Sequence, residues 1–269
     1  MNTPEDRAGI AFSKQSMIFD ELERDNLIVL ELRSRIRRHV LSLVRPEETL
    51  LELNAGTGLD AVAFAQNGVR VTATDIAEGM IEQMRRKVEK YGLSEYMQIR
   101  RCSFTDLDSF GESRFDHIFS NFGGLNCAEN LAEVIQSLKP LLKPNGTVTL
   151  VIMPPVSIWE IFSLLRGNTN AFRRLRKGGT MAHVEGEYFR VHYYSARYVA
   201  EAFGEGFEQI ELQGLSAIAP PPHAERFAVR FPRLYSVLAR LDVMLAHLPI
   251  FRSCADHYCI TLRKKVIPP

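Results

Sequence analysis

Apolar positions along the chain change their period several times, and each change marks an element boundary. Leu50, Leu51 and Leu53 form a short, almost continuous run suited to a strand buried on both faces, and residues 54–58 follow with two glycines. A helix opens at about Leu59, and a second strand ends on Asp75. Upstream, Ile28, Leu32, Ile36, Val40 and Leu43 recur at three- and four-residue steps with arginines between them. This pattern predicts a helix within residues 15–44, stopped by Pro46. Downstream, the pattern predicts a helix over 78–90 capped by Gly92, strands over 97–101 and 115–120, and a helix over 129–142. The Pro144-Asn145-Gly146 turn then leads into a strand over 147–153. Strands alternating with helices imply a doubly wound, mostly parallel α/β sheet with helices on both faces and ligands over the carboxyl ends of the strands.

The alternation stops after residue 153. Residues 154–192 carry Trp159, Phe162, Phe172, Tyr188 and Phe189, with Arg173, Arg174, Arg176 and Lys177 ahead of a Gly-Gly pair. An insertion there would overhang the carboxyl ends of the strands, where a lid or recognition element belongs. Ser195 caps a helix to about Phe203, and FEQIEL and HYCITL complete the sheet as an antiparallel pair. The expected division is a helical cap over 1–45, a ligand-binding core over 46–153, an insertion over 154–192, and the rest of the core over 193–269. That last part contains a helical insertion at about 215–253, where Leu234, Val237, Leu238, Leu241, Leu245 and Leu248 make one apolar face from Pro232 onward.

Composition narrows the class only a little. A chain of 269 residues with a net charge of +1 has core enough for one elaborated domain and no global pull toward nucleic acid. No run approaches the length of a membrane span, and the first residues lack the basic and apolar regions of a secretory signal, so a cytoplasmic protein is expected. Cys102, Cys127, Cys254 and Cys259 show no metal-ligand spacing; buried thiols in a reducing compartment are the plain reading, and no metal site is expected.

The chemistry concentrates at the strand ends, on Glu52, Asn54, Asp75, Ser103 and Asn121. Gly56 and Gly58 let backbone approach a ligand closely, and the helix that follows offers free N–H groups. Asp75 can accept hydrogen bonds from two ribose hydroxyls. The Gly-Thr-Gly-Leu-Asp-Ala run also fits a nicotinamide-dinucleotide loop, so a nicotinamide-dependent oxidoreductase is one reading. Glu52 argues against it, because a carboxylate ahead of the loop repels a pyrophosphate and suits an ammonium or sulfonium cation. The loop also opens on Asn54 where the dinucleotide pattern has glycine. S-adenosylmethionine has the ribose, the carboxylate and the cations that these residues fit.

Over residues 45–153, with a weaker echo in 193–214 and 256–264, the chain resembles the class I S-adenosylmethionine-dependent methyltransferases, and among them the quinone- and natural-product-directed branch. Residues 52–58, Glu-Leu-Asn-Ala-Gly-Thr-Gly, match that family's first motif with Asn54 at a position more often glycine, and Asp75 matches its ribose-binding acid. Cys102-Ser103-Phe104 falls where the family often has Gly-Asp-Ala beside the adenine, with Ser103 in place of the acid and the Phe104 N–H still available. The resemblance implies a Rossmann-like methyltransferase sheet with S-adenosylmethionine as cofactor, Ile76 on the adenine edge, and Asn121 near the cofactor amine or the substrate. Asn121-Phe122 does not continue into the Pro-Pro-aromatic pattern of amino-directed nucleic-acid enzymes, which points to a small acceptor, apolar or aromatic, and no nucleic-acid partner.

Methyl transfer needs alignment above all, and a base only if the acceptor is a hydroxyl. His192, on the segment returning from the insertion to the sheet, is the candidate base, with a packed structural histidine as the plain alternative. Phe12 and Phe19 could close over the cofactor or simply pack. The leucine-faced helix after Pro232 reads as core, as a homodimer contact or, less favoured, as a peripheral membrane contact. A non-catalytic protein that binds the cofactor and assists a partner fits the same residues.

Overall fold

A computed structural model describes residues 4–266 except 165, 166 and 168. Seven strands form one sheet in the order β3-β2-β1-β4-β5-β9-β8. These are β1 (Thr49–Leu53), β2 (Arg70–Asp75), β3 (Met97–Arg101), β4 (Phe115–Ser120), β5 (Leu142–Ile152), β8 (Phe207–Leu215) and β9 (His257–Lys264). The first five pair in parallel, and β9 runs antiparallel to both β5 and β8. The strand order reverses between β1 and β4, so the carboxyl ends of these two strands open a crevice at the switch point. This is the doubly wound fold that the alternating pattern predicts.

Two apolar layers cover the sheet. On one side α2 (Leu27–Leu41), α3 (Leu59–Gln66) and α4 (Glu78–Tyr91) bury Ile28, Ile36, Phe64, Ile81 and Met84. On the other, α5 (Leu131–Leu138) and α7 (Ala196–Phe203) bury Leu131, Ile135, Val199 and Phe203. Ser195 caps α7 as expected, its hydroxyl accepting from the Tyr198 N–H.

The single helix expected within residues 15–44 is two. α1 (Pro4–Asp25) and α2 meet at Asn26, whose side-chain oxygen accepts from the Ile28 and Val29 N–H groups and starts a new helix. The break matters because it lets α1 swing across the carboxyl ends of the strands, while α2 packs on the sheet. Residues 154–192 hold α6 (Ile158–Leu164) and a hairpin of β6 (Thr180–Val184) and β7 (Glu187–Val191). Phe189 and Val191 of this hairpin pack on Ala8 and Ala11, holding α1 in place. The basic cluster is partly consumed by the fold, since Arg174 is buried and pairs with both Asp256 and Glu160.

The segment after β8 holds α8 (Glu225–Arg230), α9 (Pro232–Leu245) and α10 (Pro249–Ser253). The leucine-rich face of α9, read as core, as a dimer contact or as a membrane contact, is for the most part not core. The helix buries Tyr235, Ala239 and Asp242, while Leu234, Val237 and Leu241 face outward. Asp242 explains the rotation: its carboxylate accepts from the Ser216, Ala217 and Ile218 N–H groups at 2.7–3.1 Å and from Arg35 at 3.2 Å. A bend leaving β8 would otherwise bury unpaired donors, so a charged residue takes the inner face. Asp242→Ala is expected to lower folding stability by about 3 kcal/mol, because it strands these N–H groups and takes the paired acid from Arg35, which keeps only Gln213 and the Gly214 carbonyl among the described residues. Chemical denaturation checks this, and a loss below roughly 1 kcal/mol would remove Asp242 as the anchor.

Candidate functional site

The loop between β1 and α3 is shaped by backbone that few residues adopt. Asn54 sits at φ 53° and Gly58 at φ 79°, in the left-handed region that asparagine tolerates and glycine prefers. A Cβ on Gly58 would come 2.7 Å from Met84 Cγ, so glycine is required there on two counts. The substitution of asparagine for the more usual glycine at position 54 is therefore conformationally neutral, and its side chain gains a hydrogen bond to Ser120 Oγ at 3.3 Å.

Above this loop lies an open cleft with about 630 Å³ of free space, part of it continuous with solvent. Glu52, Asn54, Gly56, Asp75 and Asn121 all line it, with Arg33 and Asp60 beside them and Phe12, Phe19, Met80 and Phe122 as apolar walls. Asp75 is anchored at both oxygens, accepting from the Gly56 N–H at 2.8 Å and the Ala77 N–H at 2.9 Å. Each carboxylate oxygen retains a second lone pair for a ligand donor. Burial raises the Asp75 pKa, against the pull of those N–H groups.

The electrostatic centre is Asp60, which the motif does not single out. Its carboxylate is almost fully buried and takes Arg33, Arg37 and the Asn121 amide. Arg33 lies 4.7 Å over the Phe122 ring and also pairs with Glu23 of α1. Two polar atoms remain without partners at the cleft: Oε2 of Glu52 and Nε of Arg33. Burial drives the Glu52 pKa well above its ordinary value of 4.5, and Asp60 raises it further while Arg33 opposes. An unpaired buried carboxylate is costly unless a cation joins it. The pair of orphans suits a zwitterion, with an ammonium on Glu52 and a carboxylate on Arg33.

The three residues expected beside an adenine are not part of this cleft, because α1 lies on them. Ser103 Oγ donates to the Glu5 carboxylate at 2.6 Å, the Phe104 N–H also bonds Glu5, and Phe104 itself is buried. Ile76 packs against Gly9, where an added Cβ would meet it at 2.9 Å. Ile76 is therefore left lining a shallow groove on the outer side of α1. Glu5 thus receives the donors Ser103, Thr105 and Phe104, and its burial raises its pKa. His192 does not line the cleft either. Its backbone N–H and carbonyl both bond Asn126, its ring stacks 6.5 Å from that of Tyr194, and burial lowers its pKa.

Arg33 and Asp60 line the cleft without having been singled out in the sequence. Arg33 stands in a stretch of α2 with several equivalent arginines, and only helix packing selects it. Asp60, in the first turn of the helix after the glycine loop, carried a signal in its position.

The family described as "Methyltransferase domain" matches residues 50–146, the stretch holding the glycine loop and Asp75. Over that stretch the chain is similar to S-adenosylmethionine-dependent methyltransferases. A demethylmenaquinone methyltransferase of Clavibacter sepedonicus is 34% identical over 113 residues, 41% of this chain and 44% of that protein. A tRNA 5-carboxymethoxyuridine methyltransferase of Escherichia coli is 28% identical over 113 residues, 42% of this chain and 43% of that protein. The chain spans about half the length of the curated relatives it matches. Among solved structures, the CcbJ methyltransferase of Streptomyces caelestis superposes with a TM-score of 0.64 over 96% of this chain and 99% of its own, at 18% identity. The [4+2]-cyclase SpnF gives 0.55 over 87% of this chain and 81% of its own at 17%; both show the fold alone.

If the fold holds Glu52 by burial alone, its carboxyl titrates above 4.5 and destabilises the native state once ionised. The native state binds more protons than the unfolded chain in that window, so stability falls as pH rises from 4.5 toward the raised pKa. Glu52→Gln is expected to remove this slope, as read from denaturation midpoints across that pH range.

Proposed function

We propose that this protein is an enzyme that transfers the methyl group of S-adenosylmethionine to a small apolar or aromatic acceptor. The unpartnered oxygen of buried Glu52, beside the glycine loop and facing the cleft, carries the reading. A phosphate there would meet Glu52, Asp60 and Asp75 together, which disfavours a dinucleotide.

The cofactor, when bound, supplies a methyl group already activated on a cationic sulfur. Glu52 would hold the methionine ammonium and Arg33 the carboxylate, and Asp75 would take the ribose hydroxyls with its free lone pairs. Phe12, Phe19 and Phe122 would keep water from the reacting centre, and alignment along the methyl–sulfur bond then supplies most of the rate. The adenine would go to Ser103, Phe104 and Ile76, which requires the first turns of α1 to give way. Glu5 in effect holds the adenine's place, accepting from the donors that the base would use. The cover that α1 forms over the cleft and its aromatic walls favour a compact acceptor over a polynucleotide. The demethylmenaquinone methyltransferases among the relatives point the same way. No proton-transfer step is assigned to His192, since its ring lies outside the cleft.

Asp75→Ala is expected to weaken S-adenosylmethionine binding by about 1–3 kcal/mol, as measured by calorimetry; unchanged affinity would count against the ribose role. Glu5→Ala should act in the opposite direction, tightening binding by roughly tenfold as the competing carboxylate leaves, and weaker binding would show that Glu5 serves the ligand. Affinity should rise with pH as Glu52 ionises, the reverse of the stability trend, because the bound cation favours the charged carboxylate. Release of S-adenosylhomocysteine is the test of transfer itself, using a demethylated quinone, a simple phenol and bulk tRNA as acceptors. Turnover on tRNA alone would replace the small-molecule reading. Tight cofactor binding without product on any acceptor would favour a non-transferring role.

A further inference from the structure

The outer face of the α8–α10 segment presents apolar side chains that nothing in the fold covers. Leu234, Val237, Leu241 and Met244 of α9 recur at three- and four-residue steps, so they form one stripe, and Leu248 follows just past the end of the helix. All five are exposed, Met244 at 73%. Val229 at 65% and Ile250 at 70% extend the stripe at its two ends. The inner face is fixed by Tyr235, Ala239 and Asp242, so the helix cannot roll to hide the stripe without breaking the Asp242 anchor.

The exposed charges on α9 itself are of one sign, while Glu31 of α2 lies beside Tyr235 at its edge. Arg226, Arg230, Arg233 and Arg240 are exposed, and none has a carboxylate within ion-pair distance among the described residues. Arg233 and Arg240 stand four residues before and three after Val237, so they border the stripe along one flank. Acids are few and engaged. From 225 to 253 only Glu225 and Asp242 are acidic; Glu225 takes the Asn26 amide and Asp242 is buried. Glu211 nearby pairs with His247.

We propose that this face docks the protein on an anionic lipid surface. A helix lying in the membrane plane needs an exposed apolar stripe with arginines beside it, whose stems reach down into the headgroup layer. A second copy of the chain fits less well. A twofold contact would set unpaired arginines against their own counterparts, whereas lipid phosphates neutralise them. Beside the stripe, α6 and α8 bound an apolar cleft lined by Trp159, Phe162, Pro221 and Phe227. Docking on this face would therefore bring that cleft close to the membrane. The assignment stands on the surface alone and does not depend on the methyl-transfer reading.

Vesicle co-sedimentation of the full chain, without cofactor or acceptor, tests it. Binding is expected to equal parts of phosphatidylcholine and phosphatidylglycerol, to fall with added salt, and to be far weaker on phosphatidylcholine alone. Val237→Asp with Met244→Asp should weaken binding by about tenfold or more, and Arg233→Glu with Arg240→Glu by a similar factor. The arginine pair has no partner to lose, so it serves even if the aspartates lower the melting temperature. Absence of binding to the anionic vesicles, or binding unchanged in both double variants, overturns the proposal. So does a dimer in sedimentation velocity that Val237→Asp with Met244→Asp dissolves in a chain that ignores lipid.

Discussion

The buried carboxylate of Asp60 organises the site. Arg33 and Arg37 of α2 and the Asn121 amide after β4 all converge on it, so one side chain ties together the helix after the glycine loop, the N-terminal helices and the switch-point strand. Such a cluster tolerates no missing member, because removing one partner leaves another charged in a dry environment. Its placement also sets the field for Glu52, which sits close to Asp60 and Arg33 without a hydrogen-bond partner on one oxygen.

The same helices that complete the cluster also restrict the cleft. Arg33 reaches Glu23 on α1, Thr57 and Lys87 hold Asp20 of α1, and the β6–β7 hairpin presses on α1 from above. Helix α1 is therefore latched along much of its length, and its first turn rests on Glu5, a buried carboxylate that accepts from the Ser103 and Thr105 hydroxyls and the Phe104 N–H. That end lies over Ile76, Ser103 and Phe104.

Much of the core was legible because its signals are local. A strand, a glycine turn and a helix follow directly from Leu50, Leu51, Leu53, Gly56 and Gly58, and the strand-end acids Glu52 and Asp75 fall where an α/β sheet presents its ligands. Ser195 was readable as a cap for the same reason, since the hydrogen bond it makes spans three residues. Asn26 carries an equal capping signal, but the continuous apolar pattern on either side of it hid the break.

What the sequence by itself determined is the alternation that builds the sheet and the placement of Glu52, Asn54, Gly56, Gly58 and Asp75 around one turn. These depend on periodicity and on contacts within a single strand–turn–helix unit. Only tertiary structure decided which of several arginines reaches Asp60, that α1 covers Ile76, Ser103 and Phe104, that His192 stands apart, and which face of α9 is buried. In α9 the leucines do not mark the buried face, because an anchoring acid some 25 positions from its N–H donors takes it. Long-range pairing of buried charge has no period, and so it leaves no trace in the pattern of a chain.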